Sequence, residues 1–177
     1  METGEPTIKS LPDLRSLKIE IPKTMTDGTH INTAEVVFNT IPLKVEIITL
    51  NDIRTTLSLG SLLIMIKIST KTEKDVASVS VNFRKINHEK VVADTGVTNT
   101  SRGLKGLGRT LWEMILPVIQ KYADESNIRV HHRVIKKPDL GLGGKKWDEL
   151  FNPILIANGY VEDEDSIWRR EYEPRKK

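Results

Sequence analysis

The sequence contains no cysteine, which excludes disulfides, cysteine-ligated zinc, iron–sulfur clusters and a thiol nucleophile. Only 5% of its residues are aromatic, so a nucleic-acid surface of stacked aromatic side chains is not indicated. The longest apolar run, Leu62 to Ile66, is too short to cross a bilayer, and the opening METGEPTIKS lacks a hydrophobic signal region. We therefore expect a cytoplasmic protein without a metal or membrane partner, present as a monomer or homodimer.

A chain of 177 residues is long enough for one domain with a sizeable core. Residues 1–13 contain Gly4, Pro6 and Pro12 and few apolar groups, which predicts a flexible N-terminal segment. We expect residues 14–177 to form a single domain. Runs of β-branched and aliphatic residues predict strands within 35–50 and at 61–69, 75–83, 90–97, 128–135 and 166–172.

The spacing of apolar residues changes after Thr100. An amphipathic helix from about Gly106 to Ala123 is predicted by a stripe formed by Leu107, Leu111, Ile115, Val118, Ile119 and Tyr122. A second helical pattern begins near Trp147 and stops at Asn158-Gly159, and Pro153 makes it either a kinked helix or two short pieces. The predicted fold class is α/β, with a mixed, mostly antiparallel central sheet and flanking helices.

A glycine-bearing turn lies between a predicted strand and the first helix, in VTNTSRGLKGLGRTL. Its glycines and cations are Gly103, Gly106, Gly108, Arg102, Lys105 and Arg109. Glycines let backbone approach a ligand closely, and the first N–H groups of a helix attract phosphate, so a diphosphate would fit here. The same glycines would also serve close packing of the helix on the sheet. Neither a Rossmann fingerprint nor a P-loop matches the order of these glycines.

In this region the chain resembles the GNAT superfamily of N-acetyltransferases, which bind acetyl-coenzyme A. It is similar in the strand ending near Val97, in the turn at 102–108, and in Asn158-Gly159-Tyr160 before a last strand. The turn is one residue longer than the usual family spelling. The resemblance covers about residues 35–172 and is specific at 94–112 and 154–172. It implies a GNAT-like fold and direct transfer of an acetyl group from acetyl-CoA to an amine of a small molecule, peptide or protein.

The resemblance also implies which residues hold acetyl-CoA. Val97 and the neighbouring backbone would hold the acetyl carbonyl, and the turn would hold the pyrophosphate. The implied cofactor-binding residues are Val97, Arg102, Gly103, Lys105, Gly106, Leu107, Gly108 and Arg109.

Acetyl transfer needs a neutral amine and a proton donor for the departing thiolate. The positions of the family's usual acid and base hold Leu155 and Val91 here, which cannot titrate. The titratable groups that remain near the strands are Glu89, Asp94, His131, His132 and Tyr160. Of these we take Asp94, His131 and Tyr160 as the catalytic candidates. Adjacent strand residues face opposite sides, so at most one of the two histidines can face a given cleft.

A basic segment, residues 128–146, supports a different class of function. Its charged residues are Arg129, Arg133, Lys136, Lys137, Lys145 and Lys146 against Asp139. Such a patch attracts an acidic or phosphate-bearing partner, although a solvated face of mixed charge has the same composition. The alternative prediction is therefore a catalytically inactive GNAT-like module that binds a protein or nucleic acid through this segment.

Overall fold

The computed structural model describes residues 10–21, 28–52, 60–99, 104–135 and 143–176. Its strands are β1 (Gly28–Phe38), β2 (Ile41–Asp52), β3 (Ser61–Ser69), β4 (Ala77–Lys85), β5 (Val91–Asn99), β6 (Val130–Ile135), β7 (Val161–Glu162) and β8 (Ile167–Tyr172). Its helices are α1 (Leu107–Ser126) and α2 (Gly143–Ala157). The strands form one eight-stranded sheet in the order β1-β2-β3-β4-β5-β6-β8-β7. Every neighbouring pair is antiparallel except β5 and β6, so the predicted α/β class with a mostly antiparallel sheet is confirmed.

The β1–β2 hairpin closes through Asn39 and Thr40, whose φ angles are +47° and +70°. Two left-handed residues in succession form the tight turn that matches the twist of paired strands. β1 begins well before the run predicted from Glu35, because its first half is mostly polar and exposed, and its isoleucine, Ile31, is exposed as well. Backbone pairing with β2 holds that half in the sheet. Because backbone pairing does not require alternating apolar side chains, the sequence there shows no strand pattern.

The core lies between α1 and one face of the sheet, here called the helix face. Alternate residues of β3 and β4 are buried there, including Leu62, Ile64, Val81 and Phe83. The apolar stripe of α1 is buried against them, with Leu107, Leu111, Ile115 and Ile119 fully enclosed. The ring of Phe83 stacks on Tyr122 at 4.1 Å between centroids. The amphipathic helix predicted from this stripe is confirmed, and it extends to Ser126.

The parallel pair β5 and β6 is joined by α1. Their pairing runs from Val91 opposite Val130 to Thr95 opposite Val134 and goes no further among the described residues. β5 itself continues to Asn99, paired on its other side with Ala77 of β4. From Gly96 onward, no described residue of β6 pairs with this edge of β5, and we call it the uncovered edge. The N-terminus of α1 follows this end of β5.

The opposite side of the sheet, here called the second face, carries partly exposed polar residues on β5 and β6, among them Asp94, His131 and Arg133. The segment 10–21 packs beside β1, where the N–H of Val37 donates to the carbonyl of Pro12 at 2.9 Å, and Leu14 is buried. Most of the segment expected to be flexible, 1–13, lies outside the described residues. α2 is a single helix that includes Pro153. Neither α1 nor any other helix in the described ranges has the length and apolar character needed to span a bilayer.

Candidate functional site

The turn before α1 exposes backbone donors. Gly106 precedes the helix with φ of +84°, a left-handed conformation that glycine adopts without strain. The N–H of Leu107 donates to the carbonyl of Leu104 at 3.2 Å, and the N–H of Thr110 donates to Gly106 at 3.0 Å. In the described chain, the N–H groups of Gly108 and Arg109 have no acceptor. Two donors at the positive end of a 20-residue helix, one on a buried and one on an exposed residue, thus have no acceptor among the described residues, and such donors attract an anion.

Two cations flank these donors. Lys105 is exposed, and Arg109 is exposed with its Nε 2.9 Å from Oε1 of Glu113. An exposed pair of this kind contributes little free energy, so the guanidinium of Arg109 can turn toward an anion at small cost. Leu107 and Gly108 are buried, which makes Leu107 a core residue as well as part of the turn. Two further residues expected in the site, Arg102 and Gly103, lie outside the described residues.

Val97 lies on β5 beyond the last residue paired with β6, and its side chain is partly buried on the helix face. The uncovered edge of β5 and the open N–H groups of α1 therefore lie at the same end of the sheet. Donors at a helix N-terminus bind anions, and an unpaired strand edge binds extended ligands through its backbone.

Asp94 and His131, two of the catalytic candidates, lie on the second face. Asp94 accepts from Arg84 at 2.7 Å and from Arg133 at 2.9 Å, so arginines bind both carboxylate oxygens. The Nδ1 of His131 is 3.0 Å from a carboxylate oxygen of Glu171. Asp94 is therefore part of an ion-pair cluster with two arginines on the second face.

Tyr160, the third candidate, lies on the helix face, so the structure does not bring the three candidates together. Its hydroxyl belongs to a buried chain of hydrogen bonds that we call the His132 network. The Nε2 of His132 is 2.5 Å from the hydroxyl of Thr95, and its Nδ1 is 2.6 Å from the hydroxyl of Tyr160. The hydroxyls of Tyr160 and Tyr172 are 2.7 Å apart. All four side chains are buried, and that of His132 is completely so.

The His132 network is neutral at physiological pH. Burial, and secondarily the charge of Arg170, lower the pKa of His132 from 6.5 to about 3. Burial likewise raises the pKa of Tyr160 and of Tyr172 above the usual value for a phenol. None of these groups is therefore ionised near pH 7, and the network offers oriented hydrogen bonds rather than charge.

The sequence-based choice of candidates passed over His132 in favour of His131. The relevant signal is the neighbour pattern: His132 alternates with Val130 and Val134, whereas His131 lies between Arg129 and Arg133. A histidine whose strand neighbours at i±2 are apolar shares their buried face. This pattern identifies the buried histidine but does not identify Thr95, Tyr160 and Tyr172 as its partners, because they come from other elements.

Trp112, on the second turn of α1, packs against this network. Its ring centroid is 6.0 Å from that of His132 and 6.0 Å from that of Tyr160. The indole is buried, and its Nε1 has no hydrogen-bond partner in the part of the chain that the structure describes. An unpartnered buried donor is costly, and in native proteins it often marks a place where a ligand or water binds.

The basic segment is largely neutralised where its side chains are described. Arg129 contacts Glu171 at 3.6 Å and Glu173 at 2.5 Å, and Arg133 is bound to Asp94. The lysines of the segment lie outside what the structure describes of the side chains. Among the described residues, this segment presents internal ion pairs of the sheet rather than a free cationic surface.

A groove of about 430 Å³ lies between residues 15–19 and α1. Leu17, Ile19 and Met114 supply apolar walls, and Lys18 stands at its rim. The groove follows the side of α1 and does not include the His132 network. Within the described ranges, no group of three or more histidine, aspartate or glutamate side chains is arranged to hold a metal ion.

Comparisons of the chain with protein-family models, with curated proteins and with solved structures found no match. The class that the fold defines is thus the general one: an α/β domain whose mostly antiparallel sheet has one parallel pair, connected by a helix with an open N-terminus.

Proposed function

We propose that this protein is a GNAT-like N-acyltransferase that moves an acetyl group from acetyl-CoA to an amine. The proposal rests on one observation: the uncovered edge of β5 and the first turn of α1, with its unpaired N–H groups, lie at the same end of the sheet. The motif in the sequence that resembles the GNAT turn lies at this same end. The amine acceptor is a small molecule, a peptide or a protein.

The residues present fit coenzyme A in two respects. The N–H groups of Gly108 and Arg109, with Lys105 and the guanidinium of Arg109, form a donor-rich cationic surface for a pyrophosphate. The backbone of β5 from Gly96 to Val97 offers hydrogen-bonding groups to an extended ligand, such as the pantetheine arm, that enters beside the strand.

The reaction would be direct attack of a neutral amine on the thioester. The new bond joins the amine nitrogen to the carbonyl carbon, and the carbon–sulfur bond breaks with its electron pair on sulfur. The amine's proton is lost to a base or to water, and the released coenzyme A thiolate takes a proton from water. Because the structure does not bring Asp94, His131 and Tyr160 together, we assign the protein no side-chain base and propose that water accepts this proton. Bound acetyl-CoA supplies the activated acyl group, and the chain supplies binding and orientation.

Coenzyme A binding tests the proposal directly. We expect coenzyme A to raise the melting temperature, because a ligand at a hundredfold excess over its Kd stabilises the folded state by about 2.7 kcal/mol. The double variant Lys105→Glu and Arg109→Glu should lose this shift, since it places two negative charges beside the pyrophosphate. The matched control is Lys85→Glu with Lys90→Glu, the same charge change in the β4–β5 turn at the opposite end of the sheet.

Mass spectrometry of a panel of free amino acids, polyamines and lysine-containing peptides incubated with acetyl-CoA then tests for transfer. A melting curve unchanged by millimolar coenzyme A would contradict the proposal. A coenzyme A shift without acetylation of any amine would instead favour the inactive binding module.

A further inference from the structure

The His132 network has one more donor than its own hydrogen bonds use. Thr95, Tyr160 and Tyr172 each carry one hydroxyl proton, and a neutral imidazole carries one N–H. These four protons serve three hydrogen bonds: Thr95 to His132, His132 to Tyr160, and Tyr160 to Tyr172. One donor is therefore left over. If every internal group is satisfied, the spare donor lies at one end of the chain, on Thr95 or on Tyr172.

Arg170 decides which end it is. Its guanidinium carbon lies 4.3 Å from the centroid of the Tyr172 ring, and its Nη1 donates to the carbonyl of Asn158 at 2.7 Å. A cation beside the Tyr172 ring favours an O–H dipole that points away from it, and on this ground we take the hydroxyl of Tyr172 as the donor to Tyr160. The hydroxyl of Tyr160 must then donate to Nδ1 of His132, and Nε2–H donates to the oxygen of Thr95. The spare proton is the hydroxyl proton of Thr95.

Thr95 lies where such a donor can meet a ligand. It is the last residue of β5 paired with β6, it is 7% exposed, and its side chain is on the helix face. The uncovered edge of β5 begins at the next residue, Gly96. The ring of Trp112, whose Nε1 has no hydrogen-bond partner among the described residues, packs against His132. Together with the spare hydroxyl proton of Thr95, this indole N–H is a donor for a ligand that brings acceptor oxygens.

We propose that the hydroxyl of Thr95 donates a hydrogen bond to the thioester carbonyl oxygen of bound acetyl-CoA, and that His132, Tyr160 and Tyr172 position it. This inference rests on the proposed acyltransferase function. Thr95 is a binding residue in this scheme, and the other three act through it. The hydrogen bond orients the carbonyl for attack and withdraws electron density from its carbon.

The direction of the network is measurable without any ligand. Long-range proton–nitrogen correlation spectra of the whole protein, with His132 assigned by its absence in His132→Gln, report which ring nitrogen carries the proton. We expect the Nε2–H tautomer, neutral at pH 7. An Nδ1–H tautomer would overturn the inference, because Thr95 would then have to donate to His132 and would have no proton left for a ligand.

The contact with the carbonyl is tested by comparing the affinities of acetyl-CoA and coenzyme A by calorimetry. In Thr95→Val we expect acetyl-CoA to bind about two- to tenfold more weakly, the effect of one net hydrogen bond, with the affinity for coenzyme A unchanged. Thr95→Ser keeps the hydroxyl and should keep the wild-type ratio of the two affinities. Thr49→Val removes another buried strand hydroxyl, on β2, and is the matched control.

A general loss of packing would weaken the binding of both ligands alike. The ratio of the two affinities therefore distinguishes loss of the positioned hydroxyl from loss of structure. Tyr172→Phe removes the first donor of the His132 network while the hydroxyl of Thr95 is still present. It should lower the affinity for acetyl-CoA relative to that for coenzyme A, and it serves as a second variant if Thr95→Val does not fold. An unchanged ratio in both Thr95→Val and Tyr172→Phe, with the wild type binding both ligands, would overturn this inference alone. A wild type that binds neither ligand would remove the proposed function and this inference with it.

Discussion

At the residue scale, Asn51 on β2 is the residue whose burial most clearly costs folding free energy. The residue is 4% exposed, and among the described residues neither its amide oxygen nor its amide nitrogen has a hydrogen-bond partner. We predict that Asn51→Leu, of similar volume, raises the free energy of unfolding by about 1–3 kcal/mol, because the desolvation cost of the amide disappears. Urea denaturation followed by circular dichroism measures the change.

Asn158 is the matched control for Asn51. Its Nδ2 donates to the carbonyl of Ile154 at 2.7 Å after the end of α2. Asn158→Leu should therefore lower stability, by about 1 kcal/mol. If Asn51→Leu were destabilising to the same extent as this control, the amide of Asn51 would have to have a partner in solution, and the prediction would be wrong.

The two adjacent histidines show how far single residues can be predicted from the sequence. That His131 and His132 face opposite sides follows from strand geometry, and the structure confirms it: one is fully buried and the other contacts Glu171. The hydrogen-bond partners of His132 could not be predicted, because Thr95 lies on β5 and Tyr160 lies three residues after the end of α2, while Tyr172, which bonds Tyr160, lies on β8. Long-range pairing of this kind leaves no periodic trace in the chain.

At the scale of elements, the β1–β2 turn contains a residue poorly suited to its conformation. Thr40 is exposed with φ of +70°, where a β-branched side chain is strained. We predict that Thr40→Gly stabilises the protein by about 0.5–1 kcal/mol, because relief of this strain exceeds the entropy that glycine adds to the unfolded chain. Thermal or urea unfolding measures the difference.

Thr33 provides the comparison for Thr40, since it is an exposed threonine of the same hairpin with extended backbone in β1. There the change to glycine relieves no strain, so Thr33→Gly should destabilise by about 0.5–1 kcal/mol. Equal effects of the two substitutions would contradict the role assigned to the left-handed turn.

Elements with a strong apolar period were predictable, and elements held by backbone pairing were less so. α1 follows from its stripe of leucines and isoleucines, and β3 and β4 follow from alternation. The first half of β1 has no such period, because its side chains are exposed. The end of the β5–β6 pairing, on which the candidate site depends, is a property of two strands and cannot be read from either one.

At the scale of the whole molecule, the neutral His132 makes stability depend on pH. The folded protein keeps this imidazole neutral down to about pH 3, whereas the ordinary pKa of 6.5 applies once the chain unfolds. Between these values the unfolded state binds more protons, so stability falls as pH falls, by about 1.4 kcal/mol per pH unit. This contribution is fully present above pH 6.5 and is lost progressively toward pH 3.

We therefore predict that urea unfolding of the wild type shows a marked loss of stability between pH 7 and pH 5, and that His132→Gln shows much less. Asp124, whose pKa is lowered to about 2 chiefly by its hydrogen bond to Arg175, acts only below this range. The difference between the two proteins thus isolates His132. Parallel pH profiles for wild type and variant would show that His132 is not held neutral.

The position of β8 has a consequence for how the protein is made. β8 follows β6 and β7 in sequence but lies between them in the sheet. A ribosome releases the chain from its N-terminus, so β6 and β7 emerge before the strand that joins them, and His132 emerges before Tyr172. Until β8 is synthesised, β6 has an unpaired edge that can pair with other nascent chains. The sheet is therefore complete only after β8 has left the ribosome. A chain stalled before Ile167 would be a substrate for chaperones that cover exposed strands.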